Sequence, residues 1–127
     1  MSQTLRNIDD IVHFENAPLA EPSVPIDPNS ILRGNKVTER TKVQYTDKRA
    51  ELTVGVWESD SGAWAILTQE DEFVWVMEGE IRITDDRGRS RTYGPGDSFF
   101  VPERFKGTWE SLSPVRKIFV SLKRKHD

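Results

Sequence analysis

From Val43 onward the chain is broken into short β-type runs by turn signals roughly every eight to twelve residues, the spacing of a sandwich or barrel. The runs are "KVQYTD", "AELTVGVWES", "AWAILTQ", "EFVWVME", "EIRITDD", "RTYG", "DSFFVP", "GTWES" and "RKIFVSLKR". "DDRG" between two of them is a hairpin turn, with Gly88 at the position that needs positive φ, and "YGPGD" is a second tight turn. No amphipathic helical stretch of ordinary length follows residue 40. These features predict an all-β, single-domain barrel over residues 41–127.

Residues 1–40 read differently. Pro18, Pro22, Pro25 and Pro28 fall within "APLAEPSVPIDPNS", a density that favours extended conformation and opposes a helix. This segment is expected to be an extended N-terminal arm, either disordered or wrapped on a surface. Before it, "LRNIDDIVHF" places Leu5, Ile8 and Ile11 or Val12 on one side of a short predicted helix.

Composition removes several function classes. With 127 residues the chain fits one domain with one core. A net charge of -3 gives no basic footprint for nucleic acid or an anionic membrane, so neither partner is expected. The absence of cysteine excludes disulfides, thiolate catalysis and thiolate–zinc sites. No apolar run approaches the ~20 residues of a membrane span, and "MSQTLRNIDD" lacks the pattern of a signal peptide. A soluble, cytoplasmic protein is the expectation.

The strand "EFVWVM" carries a specific signal. Glu72, Val74 and Val76 form one face, and Phe73, Trp75 and Met77 form the other. A strand of a lone sandwich normally has one wet face, so the outer face of this one needs cover. Either the arm supplies it or the Phe73, Trp75, Met77 face is the interface of a homodimer; the aromatic and Met content favours the interface. By contrast, "IRITDD" alternates Ile81 and Ile83 with Arg82 and Thr84, as a half-exposed strand does.

"EFVWVMEG" followed by "GRSRTYGPGDSFFVP" resembles the two motifs of the cupin superfamily. Glu72, six residues and Gly79 match the second half of the first motif, G-x5-H-x-H-x3,4-E-x6-G. Gly96, "DSFFV" and Pro102 match the first half of the second, G-x5-P-x-G-x2-H-x3-N. "GVWESDSGAWAI" and "KGTWESLSPVRKIFV" extend the resemblance, over residues 50–121, to the subfamily containing (S)-ureidoglycine aminohydrolase-like proteins. The resemblance implies a double-stranded β-helix, the cupin jelly roll, commonly dimeric.

It also implies where a metal would sit, and those positions lack ligands. Cupin metals are held by three imidazoles and a carboxylate. Here the first two imidazole positions fall on Ile66 and Thr68 (on Ala65 and Leu67 with the longer spacer), and the third falls on Gly107. Only Glu72 remains, and the two histidines, His13 and His126, lie outside the motifs. No metal cofactor of the cupin type is therefore expected; the remaining route is an oxygen set of Glu72 with Thr68, Gln69 or Asp71 on Mg or Ca.

The resemblance turns Glu72 toward the barrel interior, where a carboxylate needs a partner. Lys117 supplies one if its strand presents Lys117, Phe119 and Ser121 inward; the opposite set is equally apolar. Trp57, Trp64 and Trp109 lie on strands expected to line the barrel. They either fill the core or form a stacking wall beside Glu72 and Lys117. The expected ligand pocket therefore comprises Trp57, Trp64, Ile66, Thr68, Glu72, Gly107, Trp109 and Lys117, with Tyr45, Tyr93 and Arg116 as rim donors. "RGRSR" and "KRKHD" read as solvated segments and "GPG" as a turn, with no phosphate loop.

Three readings follow as expectations. One is a metal-free cupin with a degenerate site that binds a small molecule. The alternative is a cupin enzyme acting on a ureide, sugar or carboxylic acid, aminohydrolase- or isomerase-like, with Glu72 and Lys117 as candidate catalytic acid and base. A purely structural dimer with a tryptophan-filled cavity is the third.

Overall fold

The computed structural model describes residues 4–125, so His126 lies outside the described residues. Eleven strands are formed: β1 (Val24–Pro25), β2 (Ile31–Arg33), β3 (Thr38–Thr46), β4 (Leu52–Ser59), β5 (Gly62–Leu67), β6 (Asp71–Glu78), β7 (Ile81–Asp85), β8 (Ser90–Tyr93), β9 (Ser98–Val101), β10 (Lys106–Ser111) and β11 (Val115–Leu122). β3 to β11 correspond one to one with the runs read from the sequence. The strands build two antiparallel sheets, ordered β1-β3-β4-β11-β6-β9 and β2-β5-β10-β7-β8. Apart from the hairpins β3–β4 and β7–β8, sequence neighbours alternate between the sheets, so closure depends on pairs distant in sequence, such as β4 with β11. This is the jelly roll expected of a cupin.

Alternation fixes the inner face. In β6, Val74 and Val76 are fully buried, while Phe73 and Trp75 are 43% and 41% exposed. The core joins Trp57, Trp64, Val74, Val76, Ile81, Ile83, Val101, Trp109, Val115 and Phe119, drawn from both sheets. Burial of such apolar surface stabilises the fold by about 25 cal/mol per Å².

Within residues 1–40 the structure places β1, β2 and the start of β3 in the sheets. Residues 15–19 lie on the outer face of the first sheet. The guanidinium of Arg116, 3% exposed, donates to the carbonyls of Glu15 and Ala17, and the Leu19 amide donates to Glu58 at 3.1 Å. The short helix expected over "LRNIDDIVHF" is corrected to a single 3-10 turn, Ile8–Asp10. Asn7 and Asp10 form a reciprocal capping box there, but Leu5, Ile8 and Ile11 are 90%, 76% and 68% exposed. With no surface to bury their apolar side, propagation past one turn gains too little to offset the ordering cost.

Two glycines show different constraints. Gly107 of β10 is pressed against β7, where a Cβ would lie 2.0 Å from the Thr84 carbonyl oxygen. Gly88 closes the β7–β8 hairpin with φ of 83° and open space around it. We expect Gly107→Ala to cost at least the ~1–3 kcal/mol of core overpacking, and more than Gly88→Ala, whose left-handed strain is about 1–2 kcal/mol. Urea denaturation of both variants checks the order; the reverse ranking would contradict the close approach of β10 to β7.

Candidate functional site

The inner faces of the sheets bring one charged pair into the aromatic interior. Register places Lys117 opposite Trp57 of β4 and Val76 of β6, and Glu72 opposite Ser121 and Val101. Lys117 therefore points inward with Phe119 and Ser121. Its ammonium donates to Glu72 Oε1 at 2.7 Å, with the side chains 8% and 25% exposed respectively. The same ammonium lies 4.6 Å from the Trp57 ring centroid and 4.5 Å from that of Trp109. Both are within cation–π range, so a carboxylate and two ring faces replace the water that Lys117 loses.

The tryptophans pack on each other. Trp57 is edge-on to Trp109 at 5.6 Å and tilted against Trp64 at 6.2 Å. The Trp109 indole N–H donates to Ser111 Oγ at 3.1 Å, and Ser111 shares a 2.8 Å hydrogen bond with Ser59 from the opposite sheet. The Trp57 indole N–H donates to Glu39 at 3.2 Å. Polar edges are thus satisfied while the rings fill space.

Of the remaining expected pocket residues, Ile66 packs against this core while Thr68 is drawn to a turn. Ile66 pairs with Gly107 across β5 and β10. Thr68 clamps the turn before β10: its hydroxyl donates to the Pro102 carbonyl and accepts from the Phe105 amide, both at 2.8 Å. Of the expected rim donors, only Tyr93 faces the barrel mouth; Arg116 is bound to Glu58 and the arm, and Tyr45 stays exposed.

These residues do not fit a cupin-type metal. Ile66 and Gly107 have no donor atom, the Thr68 hydroxyl has both of its roles filled, and Glu72 is occupied by an ammonium. Asp71 is turned away to bind Arg124 and the Glu103 amide. Among the described residues, no group of three or more His, Cys, Asp or Glu side chains is placed to hold a metal ion.

A cleft of about 390 Å³ opens at the barrel mouth above the cluster. Its wall is Ile83 of β7, Tyr93 of β8, Phe99 and Val101 of β9, and Phe105, with Asp85, Arg89 and Arg91 at the rim. Tyr93 and Phe99 are stacked at 4.2 Å, and Phe99 lies 6.3 Å from Trp109, which links the mouth to the interior. Motif positions pointed below this cleft. The signal that finds it is the hairpin: a four-residue connection at 86–89 with Gly88 in the left-handed region sets Arg91 opposite Ile83, on the inner face.

A jelly roll with this inner-face arrangement defines the chain as a cupin. EutQ-like cupin domains match residues 46–119, more than half of its length, and the chain belongs to that family. A protein of unknown function from Pseudomonas syringae pv. tomato is 26% identical, with a TM-score of 0.76 over 84% of this chain and 46% of that one. The chain thus spans about half the length of that protein. The EutQ protein of Clostridium difficile is 22% identical, with a TM-score of 0.62 over 79% and 80% of the two chains. KdgF from Halomonas sp. is 16% identical, with a TM-score of 0.58 over 83% and 90%. At these identities the last two show the fold alone. No curated protein matches the chain.

Two predictions test the pair and its flank. Glu72→Ala strands a buried ammonium and should cost about 2–4 kcal/mol, below the full loss of a deeply buried pair because Glu72 is a quarter exposed. Lys117→Met should cost less than half as much, because the freed carboxylate can turn to water; equal losses in urea melts would contradict this. The second concerns Asp71. The Arg124 guanidinium, and then the Glu103 amide, hold its carboxyl below its ordinary value. Its stabilisation is therefore complete above the unfolded value and is lost as pH falls through the lower folded value. Asp71→Asn should lose stability less steeply than the native chain between about pH 5 and pH 2, and parallel acid-denaturation curves would disprove the linkage.

Proposed function

We propose that this chain is a metal-independent cupin that binds a small molecule at its barrel mouth. The observation that carries the reading is the Lys117 ammonium, held by Glu72 inside the tryptophan cluster. It sets a cation against Glu72, the one carboxylate left at the cupin ligand positions. A divalent ion at Glu72 would have to displace that ammonium and would then meet isoleucine, glycine and a committed threonine. The mouth cleft, at the lower end of the few-hundred-Å³ range of small-molecule sites, gives the ligand its place.

One observation favours a second reading, an enzyme. Glu72 and Lys117 are in contact at 2.7 Å, so one acid and one base lie together at the edge of the interior. A ureide, sugar or carboxylic acid is the substrate class for it. The ureidoglycine aminohydrolase version needs a metal-held water, for which Ile66, Thr68 and Gly107 supply no ligands. The metal-free isomerase version is tested by Glu72→Gln, which must abolish any turnover found in a substrate screen.

We also propose that the outer face of β6 is a homodimer interface. The arm covers part of the first sheet around Arg116 and Glu58, while Phe73 and Trp75 remain two-fifths exposed beside Phe100 at 55%. Aromatic side chains of this size are typical anchors of a subunit contact.

The reading is checked by a thermal-shift screen against ureides, sugars and carboxylic acids, repeated with EDTA. Ligands that bind only the folded state raise its melting temperature. We expect at least one stabiliser and the same shift with the chelator present; a shift abolished by EDTA and restored by a metal would overturn metal independence. For the dimer, sedimentation should find two chains together for the native protein and one for Trp75→Glu. A monomeric native chain would refute it.

A further inference from the structure

The mouth cleft carries an unbalanced charge, and this names the chemical class of its ligand. Asp85, Arg91 and Arg89 are the charged groups on its rim. Arg89 is committed to Asp85, with Nε 3.1 Å from Oδ2, and Asp85 Oδ1 accepts from the amides of Arg87 and Arg89, both at 2.9 Å. Those contacts hold the Asp85 carboxyl below its ordinary range, so it stays ionised and cancels Arg89. Arg91 has no hydrogen-bond or ion-pair partner for its guanidinium among the described residues. Its register partner is Ile83, a buried residue, so β8 turns Arg91 to the cleft side of the sheet. The cleft therefore holds one net positive charge, and Arg91 is the one charged rim group without a charged partner among the described residues.

Beneath Arg91 the wall is apolar: Ile83, Phe99, Val101 and Phe105, with the Tyr93 ring stacked on Phe99. We infer that the cleft binds a small monocarboxylate with a flat or apolar body, its carboxylate on the Arg91 guanidinium and its body against Phe99 and Phe105. The guanidinium fork matches a carboxylate through two parallel hydrogen bonds. A single free charge suits a monoanion; a phosphate monoester would bring a second charge with no second free cation to meet it. A neutral sugar would leave the Arg91 charge without a counter-ion. This assignment rests on the small-molecule-binding reading and narrows it to one class.

The experiment titrates the full chain with benzoate, benzamide and acetate by calorimetry, with backbone amide shifts of Tyr93 and Phe99 followed by NMR. Arg91→Gln is compared with Arg87→Gln, an equal loss of charge outside the cleft. A charge-assisted hydrogen bond is worth about 10- to 100-fold in affinity. Benzoate should therefore bind at least ~10-fold tighter than benzamide. Acetate should bind more weakly than benzoate, for want of a body to bury. Arg91→Gln should remove the benzoate preference and Arg87→Gln should keep it, with both variants melting as the native chain does. Benzamide binding as well as benzoate, an unchanged Arg91→Gln, or no benzoate response at Tyr93 and Phe99 would each overturn the inference. The broader reading fails separately: it falls when no compound in the thermal-shift screen stabilises the chain.

Discussion

The ammonium of Lys117 is buried among aromatic rings inside the barrel, and the interior is organised around keeping it there. A buried cation is costly unless ligands replace its hydration shell. Here Glu72 of β6 supplies a carboxylate, while Trp57 of β4 and Trp109 of β10 supply ring faces. Those strands belong to both sheets. Trp109 in turn engages Ser111, and Ser111 engages Ser59 across the sandwich. One charge thus recruits a carboxylate, two indoles and a hydroxyl chain that joins the sheets. The lower interior is filled, and the open volume lies toward the mouth.

That displacement explains how the cupin frame is used here. Where imidazoles would converge, the chain has a pair that neutralises itself. The cleft above it has the opposite character, with an aromatic wall and a free guanidinium at the rim. The outer surface divides in a similar way. Residues 15–19 of the arm lie against Arg116 and Glu58, while the Phe73 and Trp75 end stays open. Phe14, Glu15 and Asn16 of the arm also line a cleft with Trp75 and Met77, so arm cover and the proposed subunit contact adjoin at Trp75.

Much of this was legible in the sequence because strand periodicity is local. Alternation in "EFVWVM" separates Val74 and Val76 from Phe73 and Trp75, and the burial difference follows it. Under the cupin resemblance, spacing from Glu72 assigns two imidazole positions to Ile66 and Thr68, and spacing from Gly96 and Pro102 assigns the third to Gly107. The direction of Lys117 was not legible, since "VRKIFVSL" is apolar on both faces and its register is set by β4 and β6, far away in the chain. Thr68 illustrates a further limit. Its parity matches the interior, yet its hydroxyl serves a turn at residues 102–105, a contact no periodicity reports. Nor could composition show that "LRNIDDIVHF" finds no surface and stops after one turn.

Sequence alone determined the strand order along the chain, the inward parity of Trp57, Trp64 and Trp109 and, through the cupin resemblance, the absence of imidazole at the motif positions, because each depends on residue type and on spacing within one segment. Tertiary structure decided that Lys117 meets Glu72, that the tryptophans close around the ammonium, and that Arg91 is left without a partner at the mouth. Those outcomes depend on which strands become neighbours, and closing the sandwich pairs residues about 45 positions apart, where local preference carries no information.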